Sequence, residues 1–464
     1  MAGIKFGTSG WRAIIADEFT VANVRRAAAG IAGYVVSQKP SGAKVIVGRD
    51  PRYMGERFVE VVAEVLAAGG IQPLIIAEAA PTPAIAYEVI RLHADGAVNV
   101  TASHNPPEYS GLKFSTSDGA PALPEVTAAV EKLIPSEDGV APKAGKVSAQ
   151  NIDPRPAYLA RLKEIIDLAA IRKSGMKIVF DPLWGAARHY SDDLLREAGI
   201  NVATVHDTRD VLFGGHAPEP DGHLLNEMRA QIKATGARIG IATDGDADRF
   251  GIVDEDGTFL QPNYVIALLF DYLVETRGWK NGVAKSVATT NMINALAQRH
   301  GVPLHETPVG FKYIGELIKQ DKIAIGGEES AGLSIRHHVP EKDGILAGLL
   351  CAEAVARRNQ SLGKQLRDLF GKVGSFYPQR ENFRLTPEVQ AKFTSKVKSD
   401  PADFAGRKVK QVVRTDGLKL LLDDGSWACY RLSGTEPVVR VYTEAKSEKD
   451  LAALAAAAKE WIFN

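Results

Sequence analysis

Short apolar runs alternate with longer helical stretches through most of the chain, and this alternation limits the possible fold more than any other feature. In the first round, three strand-like runs are separated by helical stretches; the runs are 44–48, 71–76 and 96–100, and we expect the last of them to close the first sheet. Similar rounds begin near Lys177 and Gly257. Strands that alternate with helices predict largely parallel sheets covered by helices. We therefore expect an α/β fold made of three similar units with mixed sheets.

The texture of the chain changes near Gly374, where a smaller α+β region begins. The runs 427–431 and 438–442 have a near-alternating pattern that predicts strands, and the Ala-rich stretch 448–463 predicts a closing helix. A polar segment at about 135–156 indicates an earlier boundary. Because 464 residues are too many for one core, we expect several domains. The predicted domains are 1–150, 151–256, 257–372 and 373–464.

Composition excludes few classes of enzyme, but it indicates the cellular compartment and the kinds of partner that the protein has. Lys plus Arg and Asp plus Glu both number 56, so the formal net charge is zero, which disfavours a nucleic-acid partner. Cys351 and Cys429 lie outside metal-ligand spacing and are typical of buried thiols in a reducing compartment. The sequence shows neither a signal-peptide core nor the roughly 20 apolar residues that span a bilayer. We expect a cytoplasmic protein with no membrane partner.

Each round of the pattern ends a buried strand with a polar loop. The loops are Thr101–Pro106, Thr243–Arg249 and Gly326–Ser330, the last after a strand predicted at 322–325. In parallel α/β sheets, ligands gather at the carboxyl ends of the strands. The three loops are therefore expected to face one cleft.

The first loop offers a candidate nucleophile. Ser103 follows the strand directly, His104 is its neighbour, and Lys113 comes soon after as a possible proton or charge partner. An ordinary turn, in which Ser103 and Asn105 cap backbone groups, explains the same residues equally well. Only the other loops make the nucleophile the better interpretation.

The second loop carries Asp244, Asp246 and Asp248 at alternating positions, a cluster that favours a hard divalent cation. An EF-hand is one alternative, since Glu255 stands at the twelfth position. However, Arg249 stands at the sixth position, where that loop needs glycine, and the flanking residues indicate strands. A solvated acidic turn without metal is the second alternative.

Two further groups suit a sugar phosphate. Glu328 and Ser330 could bind vicinal sugar hydroxyls, although this motif alone is weak. A phosphate could be held by an arginine fork with hydroxyls and a glycine backbone. The residues of this second group are Arg431, Ser433, Gly434, Thr435 and Arg440. A hairpin loop with an ion pair to Glu436 is the alternative.

Together these motifs resemble those of the α-D-phosphohexomutase family, and the resemblance covers essentially the whole chain in order. The matching motifs are Gly7–Arg12, Thr101–Pro106, Asp244–Arg249, Gly327–Ser330 and Arg431–Pro437. The resemblance implies four domains around a central cleft, of which the first three are α/β and similar. It also implies hexose phosphates as the small-molecule partners.

The resemblance implies a role for each motif. Ser103 would carry a phosphoryl group and, with Asp244, Asp246 and Asp248, would hold Mg²⁺. Further residues would lie near the transferring group, namely Arg12, His104 and Lys113. The remaining residues would bind the substrate: Arg249, Glu328, Ser330, Arg431, Ser433, Gly434, Thr435 and Arg440. Glucose 1,6-bisphosphate would be the intermediate and activator.

The choice of sugar is suggested by the third loop. Gly-Glu-Glu-Ser at 327–330 resembles the phosphoglucomutase variant, whereas Gly-Glu-Met-Ser and Gly-Glu-Gln-Ser occur in mannose and glucosamine enzymes. Gly332 stands where those enzymes often have a His, so Lys342 becomes the candidate for proton transfer. Val309 departs from the Thr common in other phosphoglucomutases.

We therefore expect a phosphoglucomutase that interconverts glucose 1-phosphate and glucose 6-phosphate through phosphoserine. A dual phosphomannomutase/phosphoglucomutase and a metal-dependent sugar-phosphate phosphatase are the alternatives. The sequence leaves monomer or homodimer open.

Overall fold

The computed structural model describes residues 3–7, 9–136, 148–432 and 438–463. Its first domain is a mixed sheet of strand order β1-β5-β4-β2-β3-β6, in which β4, β2, β3 and β6 are parallel neighbours. The elements are β1 (Trp11–Ile14), α1 (Val21–Gln38), β2 (Lys44–Arg49), α2 (Gly55–Ala68), β3 (Gln72–Ile76), α3 (Thr82–Leu92), β4 (Gly96–Val100), β5 (Tyr109–Thr116), α4 (Pro124–Lys132) and β6 (Gln150–Ile152).

The second domain repeats this arrangement with five strands in the order β11-β10-β9-β7-β8. Strands β8, β7 and β9 are parallel, whereas β10 and β11 are antiparallel additions. The elements are α5 (Arg155–Ile165), α6 (Leu168–Ser174), β7 (Lys177–Asp181), α7 (Ser191–Glu197), β8 (Asn201–Thr204), α8 (Asn226–Thr235), β9 (Ile239–Thr243), β10 (Phe250–Asp254) and β11 (Phe259–Leu260).

The third domain has four strands in the order β13-β12-β14-β15, with only β15 antiparallel. Its elements are α9 (Pro262–Arg277), β12 (Val283–Ser286), α10 (Met292–His300), β13 (Leu304–Thr307), α11 (Phe311–Lys319), β14 (Ile325–Glu328), β15 (Gly332–Ile335), α12 (Gly344–Arg358) and α13 (Leu362–Val373). Helix α12 packs between the second and third sheets, and one apolar core runs through both domains.

The fourth domain is an antiparallel sheet with its own apolar core and two helices. Its elements are β16 (Tyr377–Arg384), α14 (Pro387–Lys396), β17 (Asp403–Phe404), β18 (Arg407–Val413), β19 (Leu418–Leu422), β20 (Trp427–Leu432), β21 (Val438–Ala445) and α15 (Glu448–Phe463). The expected fold class, three α/β domains with mixed sheets and a smaller C-terminal α+β domain, is confirmed.

Two details of the expected secondary structure are wrong. The first sheet does not end with β4, because β5 returns antiparallel beside it. The strand expected at 322–325 lies at Ile325–Glu328 instead. Gly326 and Gly327 had indicated a loop, but a Cβ on Gly327 would lie 2.8 Å from the Ile266 side chain of α9. These glycines are therefore strand residues that let helices approach the sheet closely.

Strand β6 joins the edge of the first sheet across the boundary predicted at residue 150. The predicted domain bounds otherwise stay predictions. Cys351 and Cys429 are both buried free thiols, as expected. Among the described residues, no helix combines the length and apolar character needed to cross a bilayer.

Candidate active site

Ser103 lies in a tight turn just beyond the carboxyl end of β4. Its backbone is left-handed, with φ of 52°, and its side chain is buried. Its N–H donates to Thr101 Oγ1 at 2.8 Å, which stabilises a conformation that L residues rarely adopt. Its own Oγ donates to Asp244 Oδ2 at 2.6 Å. The hydroxyl therefore points out of the first domain at the acidic loop of the second.

The acidic loop joins β9 to β10, and both flanks are strands of one hairpin. This excludes the EF-hand alternative, which requires flanking helices. Asp244, Asp246 and Asp248 are buried, and each offers one carboxylate oxygen within 4.8 Å of the others. Gly245 approaches the Ser103 carbonyl so closely that a Cβ would lie 2.6 Å from its oxygen. Only glycine permits this contact between the two loops.

The three carboxylates fit a hard divalent cation. Lys113 Nζ donates to Asp246 Oδ2 at 2.5 Å and to Asp248 Oδ2 at 2.7 Å, and Lys342 Nζ lies 2.7 Å from the same Asp248 oxygen. The Oδ1 atoms of Asp246 and Asp248 are buried without a hydrogen-bond partner among the described residues. Unpartnered buried carboxylate oxygens beside a third carboxylate are the donor set that Mg²⁺ prefers.

The charges of this cluster displace its pKa values in opposite directions. Burial, followed by the neighbouring carboxylates Asp246 and Asp248, raises the pKa of Asp244 well above its ordinary value. Burial also acts to raise the pKa of Asp248, but Lys113 and Lys342 outweigh it and hold that pKa well below the ordinary range. An added cation would remove the repulsion that raises the pKa of Asp244.

A cationic group borders Ser103 on the other side. Arg12, on β1, donates through Nη1 to Asn105 Oδ1 at 2.8 Å. Burial, and then Arg249, lowers the pKa of Arg12. Burial, with Arg249 and Arg12, lowers the pKa of His104 well below its ordinary value, so the imidazole is neutral at pH 7. Arg12 and Arg249 therefore lie close enough to repel each other beside the neutral His104, and an anion on Ser103 would relieve that repulsion.

The loop at 326–330 places its two glutamates in different surroundings. Glu328 is the last residue of β14, and its Oε1 accepts from the Gly310 N–H at 2.7 Å. Burial, followed by Glu329, raises the pKa of Glu328 to about 7, while Lys342 acts to lower it. Glu329 turns the other way, and its Oε2 accepts from Ser286 Oγ at 2.8 Å. Glu328 is therefore the carboxylate near the lysines of the cleft.

The arginine pair of the fourth domain is also formed. Arg431 on β20 and Arg440 on β21 lie directly opposite each other in the antiparallel register. Arg431 donates through Nε to Asp416 Oδ2 at 2.9 Å, and the same oxygen accepts from the Val309 N–H at 3.0 Å. The remaining residues of the expected phosphate group lie outside the described residues; they are Ser433, Gly434 and Thr435. The ion pair to Glu436 lies outside them too.

Sequence reasoning missed two residues that border the cluster. Thr82, at the start of α3, donates to Asp246 Oδ2 at 2.5 Å and accepts from Asn99 Nδ2 at 2.8 Å. Nothing distinguishes it in the sequence from an ordinary residue at a helix start. Lys312 has no role assigned from the sequence, yet it lines a cavity between the first and third domains with Lys113 and Lys342. Its burial lowers its pKa.

Comparison with known proteins accounts for this arrangement. A phosphoglucomutase/phosphomannomutase of Thermococcus kodakarensis is 32% identical over 448 residues, which is 96% of each chain. The chain belongs to the phosphoglucomutase/phosphomannomutase family. Its alpha/beta/alpha domain I model matches residues 3–140, domain II residues 156–257, domain III residues 261–373 and the C-terminal domain residues 388–460. The protein is a phosphohexomutase of the α-D-phosphohexomutase superfamily.

Other relatives show that the family is determined but the sugar is not. A crystal structure of a protein from Thermus thermophilus matches the whole of both chains with a TM-score of 0.88 and 32% identity. A phosphopentomutase of Thermococcus kodakarensis is 29% identical, over 96% of this phosphohexomutase and 94% of its own length. Relatives at similar identity thus carry names for different sugars. The acidic triad at 244–248 agrees with the Mg²⁺ site typical of this family.

Proposed function

We propose that this phosphohexomutase is a phosphoglucomutase that interconverts glucose 1-phosphate and glucose 6-phosphate. One observation carries the proposal: a buried serine hydroxyl lies 2.6 Å from an acidic triad, while a separate arginine pair stands on the fourth domain. Two phosphate groups, each of about −1.5 to −2 charge at neutral pH, need two such positions. Hydrolysis by a phosphatase needs only the first.

In this proposal Ser103 carries the phosphoryl group. The bond between Ser103 Oγ and phosphorus breaks, and a bond forms between phosphorus and the attacking sugar hydroxyl oxygen. Burial acts to lower the pKa of Lys342, but Asp248 and Glu341 outweigh it and raise that pKa, so Lys342 starts as an ammonium. It gives a proton to Ser103 Oγ as that oxygen leaves, and it takes up the proton that the sugar hydroxyl loses, so no net proton enters or leaves the site. The return step runs the same exchange in reverse. Glucose 1,6-bisphosphate is the intermediate, so it also restores enzyme that has lost its phosphoryl group.

Fixed charge does most of the remaining work, as phosphoryl transfer requires. Asp244, Asp246 and Asp248, with the Ser103 phosphate, would hold Mg²⁺. Bound there, the ion supplies charge neutralisation and polarises the phosphoryl oxygens. The positive charge of Lys113, on the first domain, offsets the negative charge of Asp246 and Asp248. Arg12 donates toward the serine loop, and the neutral His104 lies beside it.

The sugar and the second phosphate are bound on the other two domains. Glu328 and Ser330 accept and donate to sugar hydroxyls, and Arg249 lies close to Glu328. Arg431 and Arg440, with the segment at 433–435, hold the phosphate that is not reacting. Glu329 supports glucose, because its carboxylate fixes the loop against Ser286 where mannose and glucosamine enzymes carry Met or Gln. A dual enzyme for mannose remains the second candidate, since one relative bears both names.

The deciding experiment compares kcat/KM for glucose 1-phosphate, mannose 1-phosphate and a pentose 1-phosphate under one set of Mg²⁺ and bisphosphate concentrations. We expect the glucose value to exceed the others by about tenfold or more, which corresponds to roughly 1.4 kcal/mol of transition-state discrimination. Equal values for glucose and mannose would establish the dual enzyme, and a pentose preference would overturn the proposal. Inorganic phosphate as the main product would instead indicate a phosphatase.

A further inference from the structure

We propose that Arg52 is a positioning residue that holds the Ser103 loop in its reactive shape. This inference rests on the proposed role of Ser103 as phosphoryl carrier. Arg52 lies after β2, 51 residues before Ser103 in sequence, and its side chain is completely buried. It does not touch the acidic triad in the structure, so its effect on the reaction must pass through the loop.

The guanidinium of Arg52 uses all five of its N–H donors. Nε donates to Asp50 Oδ2 at 3.0 Å. Nη1 donates to the carbonyls of Pro106 and Tyr109 at 2.7 and 2.9 Å. Nη2 donates to the carbonyls of Ser103 and Asn105 at 2.8 and 2.6 Å; these four carbonyls all belong to 103–109. One rigid fork therefore fixes the whole loop that carries the serine.

A second path leads from the same ion pair to the Ser103 amide. Asp50 Oδ2 accepts from Thr101 Oγ1 at 2.6 Å, and Thr101 Oγ1 accepts from the Ser103 N–H at 2.8 Å. Ser103 is thus held at its N–H through Asp50 and Thr101, and at its carbonyl by Arg52 directly. Together these bonds stabilise the left-handed backbone of Ser103, a conformation that is unfavourable for residues other than glycine.

The arrangement also has an electrostatic consequence. Carbonyl oxygens carry partial negative charge, and Arg52 turns those of Ser103, Asn105 and Pro106 toward itself. They are therefore kept away from a dianionic phosphoseryl group, which they would repel. Because the peptide is planar and trans, the His104 N–H points to the opposite side of the Ser103 peptide from Arg52. The second domain covers the fork, since the Phe213 ring lies 4.9 Å from the guanidinium.

Arg52→Lys tests this role, because an ammonium has three donors and cannot span four carbonyls. The protein is loaded with labelled phosphate from glucose 1,6-bisphosphate. Transfer from Ser103 to glucose 1-phosphate is then measured in a single turnover, per mole of phosphoserine. We expect transfer to slow by about tenfold or more, while KM changes by less than about threefold. Expressing the rate per phosphoserine removes the effect of a smaller folded fraction.

Arg49→Lys is the matched control, since Arg49 is also buried but donates to Ala77 O at 3.1 Å and pairs with Glu56. It reaches Asp50 only at the backbone oxygen, at 3.3 Å, and not at the carboxylate that holds Thr101. It should transfer within about threefold of wild type. If Arg52→Lys takes up no label, Thr101→Val is measured instead; it keeps the fork but cuts the bond to the Ser103 N–H. That variant should slow transfer by about three- to tenfold.

The possible outcomes distinguish the positioning role of Arg52 from the proposed role of Ser103 as phosphoryl carrier. A wild-type transfer rate in Arg52→Lys would overturn the positioning role, as would a wild-type rate in Thr101→Val where Arg52→Lys takes up no label, or an equal loss in Arg49→Lys. A wild-type protein that acquires no label on Ser103 would overturn the proposed carrier itself.

Discussion

The two ends of the cleft that would hold the two phosphates are built in different ways. At the Ser103 end, loops from two sheets meet, and every carboxylate of the acidic loop is buried. At the Arg431 end, one antiparallel sheet carries the arginines, and the Arg431 and Asp416 side chains remain 14% and 27% exposed. The first end is preassembled from opposed buried charges, whereas the second depends on how one separately folded domain is joined to the rest.

That joint combines polar contacts with the third domain and a small apolar cluster, in which Trp427 and Tyr442 pack with Ala288. Lys419 Nζ donates to Val287 O at 2.7 Å, and Glu444 Oε1 accepts from the Asn291 N–H at 3.0 Å. The most informative contact is that of Asp416, which binds both Arg431 and the Val309 N–H. The next amide, Gly310, donates to Glu328. Two consecutive amides therefore connect the Glu328 carboxylate to the ion pair of Asp416 and Arg431.

The largest effect should follow removal of the carrier at the preassembled end. Ser103→Ala should lower kcat by at least about 10³-fold, because no other group can take over a covalent step. Intact-mass measurement should show a phosphoryl group on wild type and none on the variant. The exposed Ser117→Ala on the same domain is the control and should behave as wild type. Near-normal turnover in Ser103→Ala would remove the distinction between the two ends.

Asp246→Asn should have the next largest effect. It removes one charge from the triad that would offset a dianionic phosphoserine, and weakens bonds from Lys113 and Thr82. We expect kcat to fall by about 100-fold or more, beyond the 10- to 100-fold loss typical of outer-shell residues. The Mg²⁺ concentration for half-maximal rate should rise. Asp256→Asn, on the exposed turn after β10, is the control and should change neither kcat nor the Mg²⁺ concentration for half-maximal rate. Unchanged Mg²⁺ dependence in Asp246→Asn would place the metal elsewhere.

The sequence predicts the preassembled end better than the joint. Ser103 and the triad lie in loops that directly follow strands, and Arg431 lies near the end of one, each within a distinctive residue pattern. Asp416, Thr82 and Arg52 could not be found in this way, since a lone Asp, Thr or Arg is common in turns. Their roles depend on contacts between segments that are far apart in sequence, and a local sequence pattern does not predict such contacts.

The errors in secondary structure have the same origin. Gly326 and Gly327 indicate a loop in isolation, and only the packing of α9 and α11 against the third sheet makes them strand residues. Conversely, α15 begins and ends where the sequence predicts, because its Ala-rich pattern is decided locally. Local propensity thus predicts which elements form, while tertiary packing decides that β14 lies at Ile325–Glu328 and not at 322–325.

Arg431→Ala should have a smaller effect, because it removes one contact to the phosphate that is not reacting and leaves the covalent carrier and the acidic triad intact. Losing a charge-assisted contact costs roughly 1.5–3 kcal/mol, or about one to two decades in kcat/KM. The variant should also release the bisphosphate more often and need more added glucose 1,6-bisphosphate to sustain its rate. Arg407→Ala, which breaks ion pairs with Asp424 and Asp450 in the same domain, is the control. An equal loss there would mean that destabilisation of the domain, not phosphate binding, explains the result.

The smallest effect concerns the joint itself and depends on pH. Lys285 is completely buried beside Lys419 and Glu306. Burial, and then Lys419, lowers the pKa of Lys285 from 10.5 to about 7, although Glu306 acts to raise it. Between about pH 7 and 10.5 the unfolded chain then holds a proton that the folded chain lacks, so the contribution of Lys285 to stability rises with pH in that window.

Lys285→Met removes this titration and should reveal it by difference. From pH 7 to 9, wild type should gain roughly 1–3 kcal/mol relative to the variant, seen as an upward shift of a few degrees in its Tm. The exposed Lys322→Met should keep a constant offset from wild type over the same range. If the offset of Lys285→Met were also constant, the Lys285–Glu306 pair would stay ionised throughout. The joint of the fourth domain would then be held by opposed buried charges, as the Ser103 end is.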